Sequence, residues 1–155
     1  LDPEKSLIRS MTKSVLNGFM DTLNKLDINF DNWDWESDIV WNGLVDNVIN
    51  LAKNNKYFTK FKDADALDIP SIINELVKND QQISKIINLP KGFELPPLIL
   101  RRSDGSTLYT TRDIAYSIYK FNETKADKVI NVIGADQRLP QLQIRLALLG
   151  LGFKK

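Results

Sequence analysis

Apolar side chains recur at three- and four-residue spacing through the opening segment "LDPEKSLIRSMTKSVLNGFMDTLNKL": Ile8, Met11, Val15, Phe19, Leu23 and Leu26. That period predicts an amphipathic helix, with Asp2 as its N-cap and Pro3 at the first helical position. Gly18 in its interior costs about 1 kcal/mol relative to alanine. The pattern then shortens. "DINF" alternates as a short strand with Ile28 and Phe30 on one face, and "DNWDWES" is a polar, aromatic loop. Ser37 suits the N-cap of a second helix, which carries Trp41, Val45, Val48 and Ala52 on one stripe with Leu44 and Leu51 beside it. This helix is expected to end near "KNNK". "YFTKF" predicts a strand, "DADALDI" a turn and a short extended piece, and Pro70 the opening of a helix through "SIINELVKN". "QQISKIIN" reads as a further helical stretch.

"LPKGFELPP" carries Pro and Gly and is the best boundary between two halves, 1–96 and 97–155. Beyond it the pattern runs strand ("LILRR"), helix ("RDIAYSIYKF"), buried strand ("KVINVIG") and helix ("QLQIRLALLGL"). That order predicts an α/β fold, with a parallel layer and right-handed crossovers in 97–155 and a more helical α+β segment before it.

Composition narrows the chemistry. The 155 residues are 43% hydrophobic and 26% charged, ordinary for one globular domain. With 21 basic and 20 acidic side chains the net charge is +1, which gives no strong nucleic-acid footprint. There is no cysteine, so disulfides and thiolate sites are excluded, and no histidine, so imidazole bases and ligands are excluded as well. No metal-ligand pattern is present. No apolar run reaches the length of a membrane span and no signal peptide opens the chain, so a cytoplasmic origin is expected. Leu1 is not a start methionine, and the chain is expected to be a piece of a longer polypeptide.

Carboxylates, hydroxyls, amides, Lys and Arg remain. In an open α/β sheet ligands sit beyond the carboxyl ends of the strands, and two segments fall there: "SDGSTLYTTRD" after "LILRR", and "GADQ" after "KVINVI". Tyr109, Asp113, Asp136 and Gln137 would converge on one rim. Each segment has a second reading. Thr110-x-x-Asp113 has the form of a capping box, and Asp136 that of an N-cap after a tight turn. Arg112 would face a phosphate or make an ion pair. Trp33, Trp35 and Trp41 would form an interaction patch or pin the loop and helix to the core.

"DGSTLYTTRDIA" followed by "VINVIGADQ" resembles the second half of the catalytic domain of the arginyl-tRNA synthetase family, class I aminoacyl-tRNA synthetases. Asp104, Gly105, Ser106, Tyr109, Thr111, Arg112, Asp113 and Ala115 fit the family pattern D-G-[ST]-x-x-Y-x-T-R-D-x-A. Upstream, "FDNWDWESD" is similar to a family loop ending in a Glu-Ser pair, here Glu36 and Ser37, with Trp35 where the family has Gly.

The resemblance implies part of a Rossmann-like class I catalytic domain, in which 1–96 joins the two halves and 97–155 belongs to the second. It implies an ATP-dependent ligase that forms an aminoacyl-adenylate and passes the aminoacyl group to tRNA. Arginine, ATP and tRNA are then the partners, with Mg²⁺ accompanying ATP, no prosthetic group and no membrane. Tyr109, Asp113 and Gln137 fall on the arginine pocket, and Gly134 and Asp136 on the segment that approaches the ATP ribose. A carboxylate taking two parallel N–H bonds is the natural partner of a planar guanidinium.

No catalytic residue is assigned. The His-x-Gly-His signature that meets the ATP phosphates cannot occur in a chain without histidine. "SMTKS" at Ser10–Ser14 looks like the second, lysine-bearing signature, but it precedes the motifs that signature follows. The segment is therefore expected to be inactive alone. Two other readings are a non-catalytic synthetase-derived interaction module and another nucleotide-binding Rossmann-like enzyme.

Overall fold

A computed structural model describes residues 2–79, Ile87 and 95–153. It divides into two compact units, Leu1–Asp34 and Trp35–Lys155. The expected division at 96/97 falls inside the second unit.

The first unit is helix α1, Pro3–Lys25. Asp2 caps it as expected, its carboxylate accepting from the Glu4 N–H at 3.0 Å, with Pro3 in the first turn. None of its side chains is buried, and the stripe read from the sequence (Ile8, Met11, Val15, Phe19) is exposed. "SMTKS" is a stretch of this helix. "DINF" forms no strand; Phe30 instead meets Trp33 edge to face at 5.1 Å between centroids.

The second unit opens with α2 (Glu36–Trp41) and α3 (Leu44–Lys53). The sequence predicted one helix here. The break is at Asn42-Gly43, where Gly43 takes a left-handed backbone (φ 73°), and Asn-Gly is a turn dipeptide. Trp35, not Ser37, occupies the N-cap of α2. Val45, Val48, Ile49 and Ala52 face the core, while Trp41 and Leu51 stay exposed.

Strands β1 (Phe58–Phe61) and β2 (Ala64–Leu67) form a hairpin. Lys62 and Asp63, both at positive φ, make the two-residue connection that the strand twist favours. Helix α4 (Ile69–Asn79) follows. The "QQISKIIN" stretch and most of the connector lie outside the described residues, apart from Ile87, which is helical and buried. Strand β3 (Leu98–Arg101) completes a sheet of order β1-β2-β3.

β3 is the "LILRR" strand, and its described ladder is with β2, antiparallel, with Ala66 opposite Ile99 and Leu67 opposite Leu98. The pairing joins residues on both sides of the 96/97 boundary. Helix α5 (Tyr109–Thr124) and helix α6 (Arg138–Gly150) finish the unit. "KVINVI" between them joins no ladder among the described residues. Ile130, Val132 and Ile133 are 73, 94 and 48% exposed. A parallel strand is buried on both faces, and this segment pairs with no described strand.

The core is where these elements meet: Ile49 of α3, Leu67 and Leu100 of the sheet, Ile69 and Ile72 of α4, Ile114 of α5 and Ile144 of α6. Gly150 permits the closest approach. A Cβ there would lie 2.5 Å from Ile72 Cδ1, and the Gly150 carbonyl accepts from the Asn55 side chain at 3.0 Å. Asp65 is the buried carboxylate of β2. The hydrogen bond from Lys60, at 2.6 Å, holds its pKa below the usual range, and Lys53 at 3.6 Å assists.

Candidate functional site

The turn after β3 is built by its own residues. Asp104 Oδ1 accepts from the Ser106 N–H at 2.8 Å, Gly105 sits at φ 85°, and Arg102 N–H bonds the Ser106 carbonyl at 2.8 Å. Hydrogen bonding from Ser106, through side chain and backbone, keeps the Asp104 carboxyl below the usual carboxylate range. The reversal lays Thr107 against Arg101 in a single antiparallel bridge, and α5 starts two residues later.

Leu108, not Thr110, is the N-cap of α5, and no side chain caps it. The capping-box reading of Asp113 therefore does not hold: Thr110 and Asp113 both lie inside the helix. Thr110 is buried, and its hydroxyl has no partner among the described residues. Thr111 is fully buried and donates to the Leu100 carbonyl at 2.8 Å, which pins the first turn to β3. Thr111→Val keeps the shape and deletes the donor, leaving a buried carbonyl short of a bond. It is expected to cost about 1–3 kcal/mol, seen as a lowered unfolding temperature that Thr111→Ser restores. An unchanged midpoint would show that the bond carries no stability.

With the first turn fixed, Tyr109 and Asp113 fall one turn apart on one face of the helix. Tyr109 is 46% exposed. Asp113 is half-buried, and its carboxylate takes no hydrogen bond or ion pair among the described residues. Burial raises its pKa above the ordinary value, and the negative charge of Glu36 raises it further; Lys120 and Arg112 act the other way.

Arg112 makes an ion pair, one of the two readings its sequence position left open. Its Nε donates to Glu36 Oε1 and its Nη1 to the Thr107 carbonyl at 3.2 Å. Glu36 is thus brought to the Asp113 side of the site. Sequence reasoning gave it no role there, although the Glu-Ser loop had marked it.

"GADQ" becomes a 3₁₀ turn, Ala135–Gln137, running directly into α6. The tight turn was expected, but Asp136 caps neither helix: Gly134 and Gln137 hold the N-cap positions, and neither helix has a side-chain cap. Asp136 is exposed and accepts from Gln137 Nε2 at 3.0 Å. Its Oδ1 lies 2.5 Å from where a Cβ on Gly134 would stand. No hydrogen bond links Gln137 to Tyr109 or Asp113 among the described residues. The Asn131 side chain, in the segment before the 3₁₀ turn, is bonded to both helices: its Oδ1 accepts from Lys120 Nζ at 2.9 Å and its Nδ2 donates to Gln141 Oε1 at 3.0 Å.

A cleft of 330 Å³ lies beside the C-terminal ends of α5 and α6, lined by Ile118, Phe121, Asn122, Lys125, Leu148 and Phe153. It contains none of the candidate residues. Among the described residues no group of His, Cys, Asp and Glu could hold a metal ion, and no helix is long and apolar enough to cross a membrane.

This arrangement of elements has a counterpart of known structure. The Thermus thermophilus arginyl-tRNA synthetase superposes on 97% of this chain with a TM-score of 0.75, at 23% identity and over 28% of its own length. The fold is therefore that of part of a class I synthetase catalytic domain, as the sequence led us to expect. The model of the class I (R) tRNA synthetase catalytic domain matches residues 4–155, and the chain belongs to that family. Among curated relatives, the arginine–tRNA ligases of Aeropyrum pernix and Ignicoccus hospitalis are 60% and 50% identical over 99% and 97% of this chain. The chain spans about a quarter of the length of these relatives.

Proposed function

We propose that this chain is a segment of an arginine–tRNA ligase, a cytoplasmic enzyme of protein synthesis, and that it carries part of the arginine pocket. The observation that carries the reading is Asp113: a half-buried carboxylate with no partner among the described residues, in line with Tyr109 on a helix face fixed by Thr111. A protein that desolvates a carboxylate without pairing it has left room for a cation. A guanidinium fits, because two of its parallel N–H groups can bond one carboxylate. The Tyr109 hydroxyl and the Gln137 amide take remaining donors or orient the stem. Gly134 and Asp136 stand toward the ATP ribose, where a carboxylate accepts from a hydroxyl, and Mg²⁺ arrives with ATP as part of the substrate.

In the reaction the arginine carboxylate attacks the α-phosphorus of ATP and expels pyrophosphate, and the tRNA terminal ribose hydroxyl then takes the aminoacyl group and releases AMP. Residues of this chain bind and orient the amino acid. The two phosphate-binding signatures belong to other parts of the polypeptide. Residues 1–96 join the two halves of the catalytic domain, and 97–155 belong to the second.

The test is ATP–pyrophosphate exchange by the full-length polypeptide with tRNA present, comparing arginine, lysine and citrulline. Citrulline has nearly the shape of arginine without the charge, and a site built for the charged group is expected to reject it by at least about a hundredfold. Comparable use of citrulline, or exchange driven by another amino acid, would sink the reading.

A further inference from the structure

Two neighbouring residues hold the first turn of α5 from different sides. Thr111 binds it to β3 from within the core. Arg112 binds it on the outer side, its guanidinium spanning Glu36 at the start of α2 and the carbonyl of Thr107, which closes the turn against Arg101. The Arg112 side chain is only 28% exposed, against 68% for Glu36. Three separate pieces of chain, α2, the β3 turn and α5, thus meet at one side chain lying between Tyr109 and Asp113 in sequence.

We infer that Arg112 is a positioning residue: clamped between Glu36 and the Thr107 carbonyl, it fixes the orientation in which Tyr109 and Asp113 meet the arginine side chain. The inference rests on the reading of Asp113 given above. A planar guanidinium can satisfy a carboxylate and a carbonyl at once, whereas an ammonium on a flexible stem is a point charge without that fixed fork. The clamp also sets the charge around the site. The charged groups acting on the Asp113 carboxyl are Glu36 from α2 and Arg112 and Lys120 from its own helix. While Arg112 is paired with Glu36, the repulsion between the two carboxylates is offset. Deleting Arg112 leaves that repulsion bare and raises the Asp113 pKa, so cation binding is lost at a higher pH as the solution is acidified. Deleting the Glu36 charge does the reverse.

The experiment uses the full-length polypeptide with Arg112→Gln, Glu36→Gln, the double variant and Arg112→Lys, measuring KM and kcat for arginine and for ATP across pH. Arg112→Gln is expected to raise the arginine KM about tenfold with the ATP KM little changed, and Arg112→Lys to recover part of the loss. Because both single changes open one clamp, the double variant is expected to be no worse than the poorer single. The acid limb of arginine binding should move up in Arg112→Gln and down in Glu36→Gln. Glu36→Gln alters an exposed side chain, so it breaks the pair without disturbing the core even where Arg112→Gln fails to fold. Additive effects, equal rises in both KM values, or limbs moving the same way would overturn the clamp. Asp113→Asn separates the two claims. If it leaves arginine binding intact, the pocket reading fails; if it abolishes binding while Arg112→Gln is silent, only the clamp fails.

Discussion

Asp113→Asn in the full-length polypeptide is expected to weaken arginine binding about a hundredfold or more, with ATP affinity little changed. Removing one member of a desolvated charge pair costs about 3–5 kcal/mol, much of it from the partner left buried and unpaired, and 1.4 kcal/mol is tenfold in affinity. The position of the residue sharpens the test. A capping carboxylate would be worth about 0.5–2 kcal/mol of stability, but Leu108 is the cap of α5 and Asp113 lies within the helix. Nor does the carboxylate stabilise the fold through its charge. Its pKa is raised by burial and by Glu36, so ionisation is less favourable in the folded chain than in the unfolded one. The contribution is therefore unfavourable above the folded pKa and disappears as pH falls below the unfolded value. Asparagine removes that burden, and the melting temperature should hold or rise. Calorimetric titration of arginine and ATP, with a melting curve, reads all three quantities. A loss shared equally by ATP, or a large fall in melting temperature with near-normal arginine affinity, would make Asp113 a structural residue.

Local signals were legible where a short stretch decides its own shape. Asp2 and Pro3 start α1, Pro70 falls in the first turn of α4, and "YFTKF" and "DADAL" make the hairpin. Asn42-Gly43 was equally local, yet the apolar stripe running across it hid the break. Partners were not legible. The strand-helix-strand-helix order gave "LILRR" a parallel neighbour in "KVINVI" and said nothing of the antiparallel ladder it makes with β2. "KVINVI" has the continuous apolar character of a strand buried on both faces, but its neighbours cannot be read from its own residues. None of the described strands pairs with it.

The site follows the same rule. Tyr109 and Asp113 were found together because helical spacing places them together whatever surrounds them. Spacing could not decide whether Asp113 caps the helix; that turned on where α5 begins, which the Thr111–Leu100 bond and the Arg102–Ser106 turn set. Glu36 and Arg112 are 76 positions apart, and no periodicity connects them. Only the similarity of "DNWDWES" to a family loop marked Glu36, and it gave no partner.

The 155-residue chain by itself is expected to show no arginine-dependent ATP–pyrophosphate exchange, with or without tRNA. In the activation step negative charge grows on the α-phosphate and on the departing pyrophosphate, and preorganised donors must already be aimed at those oxygens. Removing a single such donor costs about 10²–10³ in rate, so a site without the phosphate-binding signatures falls far below detection. This chain contains no histidine, and its one lysine-bearing lookalike, Ser10–Ser14, is a stretch of α1 whose Ser14 hydroxyl bonds the Ser10 carbonyl of its own helix. Proximity fails as well. On the proposed reading Tyr109, Asp113 and Gln137 orient the amino acid, but an oriented carboxylate gains nothing without a phosphate held in line with it. The assay is labelled pyrophosphate incorporation by the purified chain, run beside the same chain carrying Asp113→Asn. Activity from a host synthetase would be equal in the two preparations. Exchange present in the first and absent from the second would belong to this chain, and would mean that its own residues bind the triphosphate productively.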